Sequence, residues 1–209
     1  MSDASKNSFC LALTGASGQA YGLRLLECLL AGGHRVCFLY SDAARVVLRQ
    51  EMALELPDAP AAAQACLLRR YPDLPGALEV YARDDWFSPL ASGSSAPEAM
   101  IICPCSMGTL AAIAQGLATD LIERAADVVL KEGGKLILIP RETPFSILHL
   151  ENMLRLARAG ATILPPNPGF YQRPQSVEAL VDFVVARILD QLSVPHTLLP
   201  RWGEPAASR

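Results

Sequence analysis

The run Ile101-Ile102-Cys103-Pro104-Cys105-Ser106-Met107-Gly108-Thr109 limits the fold more than any other stretch of the chain. Strand-type apolar residues lead into it, small hydroxyl and glycine residues turn it, and the alanine-rich segment 110–115 leaves as a helix. A strand that turns directly into a helix points backbone N–H groups and short hydroxyls beyond its carboxyl end, a place suited to a phosphate. The chain repeats the pattern at its start, where Cys10-Leu11-Ala12-Leu13 runs through Thr14-Gly15-Ala16-Ser17-Gly18 into a helix from about Gln19. Two such turns in one small domain predict a phosphorylated ligand held between them.

The rest of the chain alternates in the same way. Strands are predicted over Phe9–Leu13, Arg35–Tyr40, Ala99–Cys103, Lys135–Pro140 and Ala161–Leu164, with a weaker one over Leu78–Tyr81. Helices are predicted over Gln19–Leu30, Asp42–Gln50, Met107–Gln115, Leu121–Lys131, Ser146–Ala159 and Ser176–Leu192. Strands without strict alternation are buried on both faces, which implies a parallel sheet flanked by helices. Gly32-Gly33, Gly133-Gly134 and Gly160 each follow a helix and precede a strand, where a glycine stop belongs. The expected fold is α/β: a doubly wound, mostly parallel sheet in a three-layer, flavodoxin-like or Rossmann-like sandwich. Residues 1–193 read as a single domain and 194–209 as a tail packing at a subunit interface. Residues 57–75 are rich in Ala and Pro and receive no assignment, while 87–97 form a Ser/Gly/Pro loop long enough to be a candidate binding loop.

Composition narrows the partners. Hydrophobic residues make up 51% of the 209 and charged ones only 19%, which excludes disorder and points to surface buried between subunits. A net charge of −3 with no long basic run gives no support to nucleic-acid binding. No apolar stretch reaches membrane-spanning length, residues 1–8 are polar, and the six cysteines include no CxxC pair; a cytoplasmic protein with reduced, buried thiols is expected.

In this fold ligands sit beyond the carboxyl ends of the strands. Thr14–Ser17, Ser41, Cys105–Thr109, Arg141-Glu142 and 167–173 fall there, a polar, small and cationic set. Gly15-Ala16-Ser17-Gly18 lacks the full GxGxxG pattern, so a mononucleotide fits better than a dinucleotide, although an ordinary tight turn accounts for it equally. Arg124 and Lys131 lie seven apart on a helix whose apolar stripe is Ile122, Ala125, Ala126 and Val129, so both face away from that stripe. A solvated charged face would explain the pair alone. Arg141, Tyr171, Arg173 and Arg187 add cations and a phenol to the same rim, and together they suit a second phosphate.

Other residues carry plainer readings beside the chemical ones. Arg141-Glu142 suits phosphate binding and proton transfer, or is a surface ion pair. Glu51 is a carboxylate near the rim, or a solvated charge; Trp86 faces a planar ring or a carbocation, or packs in the core. His34, His149 and His196 are too scattered for a metal site, and His149 fits capping or packing. Cys103 and Cys105 serve packing or backbone donation rather than redox chemistry.

Taken together, Thr14-Gly15-Ala16-Ser17-Gly18, Ala91-Ser92-Gly93-Ser94-Ser95, Pro104-Cys105-Ser106-Met107-Gly108-Thr109, Leu121-Ile122-Glu123-Arg124-Ala125-Ala126-Asp127 and Pro140-Arg141-Glu142-Thr143-Pro144 resemble the flavin prenyltransferase family. His149-Leu150-Glu151-Asn152-Met153, Pro168-Gly169-Phe170-Tyr171 and Val181-Asp182-Phe183-Val184-Val185-Ala186-Arg187 extend the resemblance, in order, over nearly the whole chain. It implies a flavodoxin-like homo-oligomer, expected to be a homododecamer, that binds FMN and dimethylallyl monophosphate. The family joins the prenyl group to N5 and C6 of reduced FMN without a metal, and the prenylated FMN serves a separate decarboxylase, with a ubiquinone-type pathway expected. By the same resemblance Gly15, Ala16, Ser17, Ser41, Ser106, Met107, Gly108, Thr109 and Arg141 match FMN contacts. Arg124, Lys131, Tyr171 and Arg187 match the prenyl-phosphate positions, some reaching in from a neighbouring subunit, and Ser17, Glu51, Trp86, Lys131 and Glu142 match catalytic ones. Met107 departs mildly from the small residue common there; its backbone N–H still donates.

Three rivals remain at this level. An FMN-dependent cysteine decarboxylase of the phosphopantothenoylcysteine type shares the fold and cofactor, but carries Pro-Ala-Ser-Ala-Asn-Thr where this chain reads Pro104-Cys105-Ser106-Met107-Gly108-Thr109. A non-catalytic FMN carrier would not need Arg124, Lys131 and Arg187. A direct decarboxylase of a phenolic acid ranks third.

Overall fold

The computed structural model describes residues 8–199 other than Gln172. The chain runs β1 (Ser8–Leu13), α1 (Gln19–Ala31), β2 (Arg35–Tyr40), α2 (Asp42–Met52), α3 (Pro60–Arg70) and β3 (Ala77–Val80). It continues with β4 (Ala99–Cys105), α4 (Met107–Ala114), α5 (Leu121–Lys131), β5 (Lys135–Pro140), α6 (Ile147–Arg158), β6 (Thr162–Ile163) and α7 (Val177–Leu192). Every strand pairing is parallel and the order across the sheet is β3-β2-β1-β4-β5-β6. The expected doubly wound three-layer sandwich is the observed one.

Burial explains the layers. Phe9, Leu11 and Leu13 of β1 face a core shared with α1, α2, α3 and α7, while Cys10 and Ala12 face a second core with α4, α5 and α6. Strands buried on both faces need no polar alternation, which is why these read as continuous apolar runs. The unassigned segment holds α3: Pro60 occupies its first turn, where a missing N–H costs nothing, and Ala63 and Leu67, four apart, supply its buried stripe. β4 runs two residues beyond its expected end, with a register irregularity between Ile102 and Cys105, and β6 is shorter than expected.

Two features of this frame position the site. The strand order reverses between β1 and β4, which sets the turns after these strands side by side. α1 also crosses β4 closely: a Cβ on Gly22 would lie 2.3 Å from the Cys103 carbonyl oxygen, so only glycine fits there. Beyond α7, Val194 is buried in this chain's own core and Leu198 packs against it, while residues 200–209 of the anticipated interface tail lie outside the described residues.

Candidate functional site

Thr14 joins the two turns. Its side chain is almost wholly buried; the hydroxyl donates to the Pro104 carbonyl oxygen at 2.9 Å and accepts from the Ser106 N–H at 2.7 Å. The Thr14 N–H donates to the same carbonyl at 3.2 Å. Ser106 then caps α4, its Oγ accepting from the Thr109 N–H at 3.3 Å and lying 3.1 Å from the Thr109 hydroxyl. Nothing lies within 4 Å of a Cβ placed on Gly108, so the first turn of α4 faces open space. The Met107 side chain is buried among core residues of that face, so its departure from a small residue leaves the turn itself unaltered. A helix start with a bare glycine and flanking hydroxyls accepts an anion with two or more oxygens.

The first turn is occupied differently from expectation. The Glu51 carboxylate, at the end of α2, accepts from the Gly18 N–H at 2.9 Å and the Gln19 N–H at 2.9 Å. It therefore caps α1, whose Gly18 has no side chain to do so. Those donors are not available to a ligand, and the anion site falls to α4 rather than being split between both helices. Partial burial pushes the Glu51 carboxyl up, but the Ser17 hydroxyl, the two N–H groups and the Arg141 guanidinium outweigh it and hold the group below the ordinary glutamate value. With its folded value lowered, Glu51 contributes stability that is present above the unfolded value and lost as pH falls through the folded one. The melting temperature of Glu51→Gln is expected to lie below that of the parent at about pH 7 and to converge with it toward about pH 3. A gap that stays constant across that range would refute the charged cap.

Next to this cap a cleft of about 310 Å3 is lined by Ser17, Tyr21, Arg141, Glu142, Phe145 and Asn167, among others. Arg141 follows β5 directly, its N–H donating to Cys105 O at 3.3 Å, and Glu142 accepts the Thr143 N–H at 3.0 Å. Residues bearing a hydroxyl, a carboxylate, a guanidinium and a phenol thus line one cleft, a set that can bind an anionic or polar ring and move a proton beside it. Asn167 falls in the 167–173 rim segment expected there, whereas Tyr21 and Phe145 were not singled out as site residues. Tyr21 lies in the first turn of α1, directly after the Thr14–Gly18 turn, and that position was the available signal.

The remaining residues are held elsewhere. Ser41 sits on the same carboxyl edge, its N–H donating to Leu13 O at 3.0 Å and its hydroxyl capping α2. A Cβ on Gly15 would lie 2.4 Å from the Ala43 Cβ, so the first turn presses on the start of α2. Trp86 is half exposed in the turn after β3, beside a fully exposed Phe87. Arg124 donates to Ala91 O at 3.1 Å and to Asp127 at 2.9 Å, and Lys131 pairs with Glu132 beside Gly93. Tyr171 stacks edge-on against Phe183, and Arg187 pairs with Asp190.

The expectation that these cations share one rim within a chain is corrected by the topology. Lys131 ends α5, and β5 begins at Lys135, paired with the first residue of β4 at the amino edge of the sheet. Seven helical residues carry it about 10 Å down from Arg124. Arg187 also lies far along α7: Gln191 O, four residues on, accepts from Lys135 Nζ at that same amino edge. His149, by contrast, is the cap expected, its Nδ1 accepting the Ser146 N–H in a capping box.

Known proteins resemble this chain over nearly its whole length. The sequence model of the flavoprotein family matches residues 1–189. The flavin prenyltransferase UbiX of Pseudomonas aeruginosa is 58% identical over 194 residues, 93% of each chain. A dodecameric FMN-dependent UbiX-like decarboxylase from Escherichia coli O157:H7 superposes with a TM-score of 0.83 at 38% identity, covering 94% of this chain and 100% of that one. AnUbiX (PadA1), in complex with FMN and dimethylallyl pyrophosphate, does so at 0.85 and 37% identity, covering 96% and 99%.

Proposed function

Because the chain belongs to the flavin prenyltransferases of the flavoprotein family, we propose that it joins a dimethylallyl group from dimethylallyl monophosphate to N5 and C6 of reduced FMN. The observation that carries this reading is the 58% identity, sustained over 93% of both chains, to a flavin prenyltransferase. The residues present fit FMN: the open first turn of α4 and the Ser106 and Thr109 hydroxyls suit its phosphate, and the Ser17–Arg141 cleft suits its polar ring. Reduced FMN, when bound, supplies the nucleophilic nitrogen and carbon. Gly15, Ala16, Ser17, Ser41, Ser106–Thr109 and Arg141 hold it in this reading.

Arg124, Lys131, Tyr171 and Arg187 take the prenyl phosphate and stabilise its departure, because fixed cations need no reorganisation as charge develops. Their spread along the helices to the amino edge is consistent with a site completed by neighbouring subunits. Trp86, half exposed, supplies an aromatic face for an allylic cation. Ser17, Glu51 and Glu142 hold or relay a proton in this reading, a role supported for Glu51 by the partners that favour its charged form. Exposed Ile147, Leu148, Leu150 and Leu154 on α6 fit packing in a homo-oligomer, for which a dodecamer is the expected size. The prenylated flavin then passes to a partner decarboxylase, with a cytoplasmic location and a ubiquinone-type pathway completing the reading. Among the described residues no helix is long and apolar enough to cross a membrane.

The test is anaerobic incubation with reduced FMN and dimethylallyl monophosphate, followed by mass spectrometry of the released flavin. A flavin heavier by one five-carbon prenyl unit is the expected result. Unmodified FMN, from protein shown to bind it, with this donor and with the pyrophosphate, would overturn the reading.

A further inference from the structure

Arg83, in the turn after β3, belongs to none of the groups above, yet three of them meet on it. Its Nη1 pairs at 2.6 Å with Asp42, the first residue of α2 and the neighbour of Ser41. Its Nε and Nη2 both lie 3.2 Å from Oδ2 of Asp120, and its carbonyl accepts the Leu121 N–H at 2.7 Å. Asp120 caps α5 with its other oxygen, taking the Glu123 N–H at 2.9 Å, and α5 carries Arg124 and Lys131. The turn itself continues to Trp86 through short backbone bonds, Asp85 N–H to Ala82 O at 3.2 Å and Trp86 N–H to Asp84 O at 2.9 Å.

We propose that Arg83 is a positioning residue that fixes the spacing of α2, the start of α5 and the Trp86 turn, and so of the flavin edge at Ser41, the Arg124 guanidinium and the aromatic wall. The inference rests on the prenyltransferase reading. The Asp42 arm contributes little stability, because that side chain is 79% exposed, whereas the Asp120 side chain is 16% exposed. What the two arms share is geometry. The planar guanidinium reaches two carboxylates on separate helices at a fixed angle, whereas a lysine ammonium on a flexible stem does not hold both in one plane. The Thr14 tie and the start of α4, which carry the phosphate end of the flavin site, do not involve Arg83, so its loss weakens flavin affinity little.

Arg83→Met, Arg83→Lys and a control, Arg35→Met, separate these effects. Arg35 makes an equally good pair with Glu79, at 3.0 and 2.7 Å, from the first residue of β2 to the third of β3. Arg83→Met is expected to keep FMN affinity within about twofold and to slow single-turnover prenyl transfer at saturating donor by about tenfold. Arg83→Lys should fall between it and the parent, and Arg35→Met should transfer at the parental rate. Transfer by Arg83→Met within about twofold of the parent overturns the proposal, as does full rescue by lysine or an equal loss in Arg35→Met. Should Arg83→Met not fold, Asp42→Asn, which leaves the α5 cap intact, should slow transfer about threefold, and a parental rate overturns the proposal equally. A parental chain that makes no prenylated flavin overturns the reading beneath the proposal and the proposal with it.

Discussion

Lys131→Ala is expected to lower the single-turnover rate of prenyl transfer by about 10²- to 10³-fold while FMN affinity changes less than about twofold. A fixed ammonium beside a departing phosphate acts most strongly where negative charge grows, so its removal falls on the transfer step rather than on flavin binding. Lys131→Arg, which keeps the charge, should retain a substantial part of the rate. The placement of Lys131 adds a sharper expectation. It lies half exposed at the amino edge, paired with Glu132, while Ser17 and Glu142 line a cleft at the carboxyl edge. In the proposed reading a neighbouring subunit brings it to the site. Mixed oligomers of Lys131→Ala and Glu142→Gln chains, each slow alone, should recover about a quarter of the parental rate, since random pairing leaves that share of sites with both groups intact. Recovery measured by single-turnover kinetics on the mixture checks this. An inactive mixture would place both residues on one chain's site, and a parental rate in Lys131→Ala alone would remove the residue from the reaction.

The contrast between the two edges shows what residue order conveys and what it does not. β2, α5 and β5 were expected with the bounds they have, because a two-sided buried strand is a continuous apolar run and α5 carries a full apolar stripe behind an Asp120 cap. α3 was not, since it opens with a proline and three alanines, which signal a loop as readily as a helix start, and only Ala63 and Leu67 mark its buried stripe. In the site, the Ser106 cap and the Arg141-Glu142 turn could be read locally. The Glu51 cap could not, because it joins groups more than thirty positions apart that no spacing rule relates. The same holds for Arg83, whose two carboxylates come from helices far apart in the chain. Seven-residue spacing placed Arg124 and Lys131 on one helical face correctly, but a face fixes direction around the axis and says nothing of height along it. That omission is why the cations were assigned one rim.

Thr14→Val is expected to destabilise the chain by about 2–3 kcal/mol, since it preserves the shape of a nearly fully buried side chain but removes a hydroxyl with two partners. At this chain length that lowers the melting temperature by roughly 5–10 °C. The Pro104 carbonyl keeps the Thr14 N–H, whereas the Ser106 N–H loses its acceptor, and with it the anchor that aims the start of α4. FMN affinity should therefore fall by about tenfold or more, beyond what global destabilisation produces well below the melting point. Thr14→Ser separates hydroxyl from methyl: it should lose some stability through the smaller side chain yet bind FMN as the parent does. Calorimetry and flavin fluorescence titration of both variants read the two effects independently. If valine and serine bound FMN equally, the tie would not set the α4 turn. The Arg141 N–H bond to Cys105 O, from the other side of β4, would then be the contact that holds it.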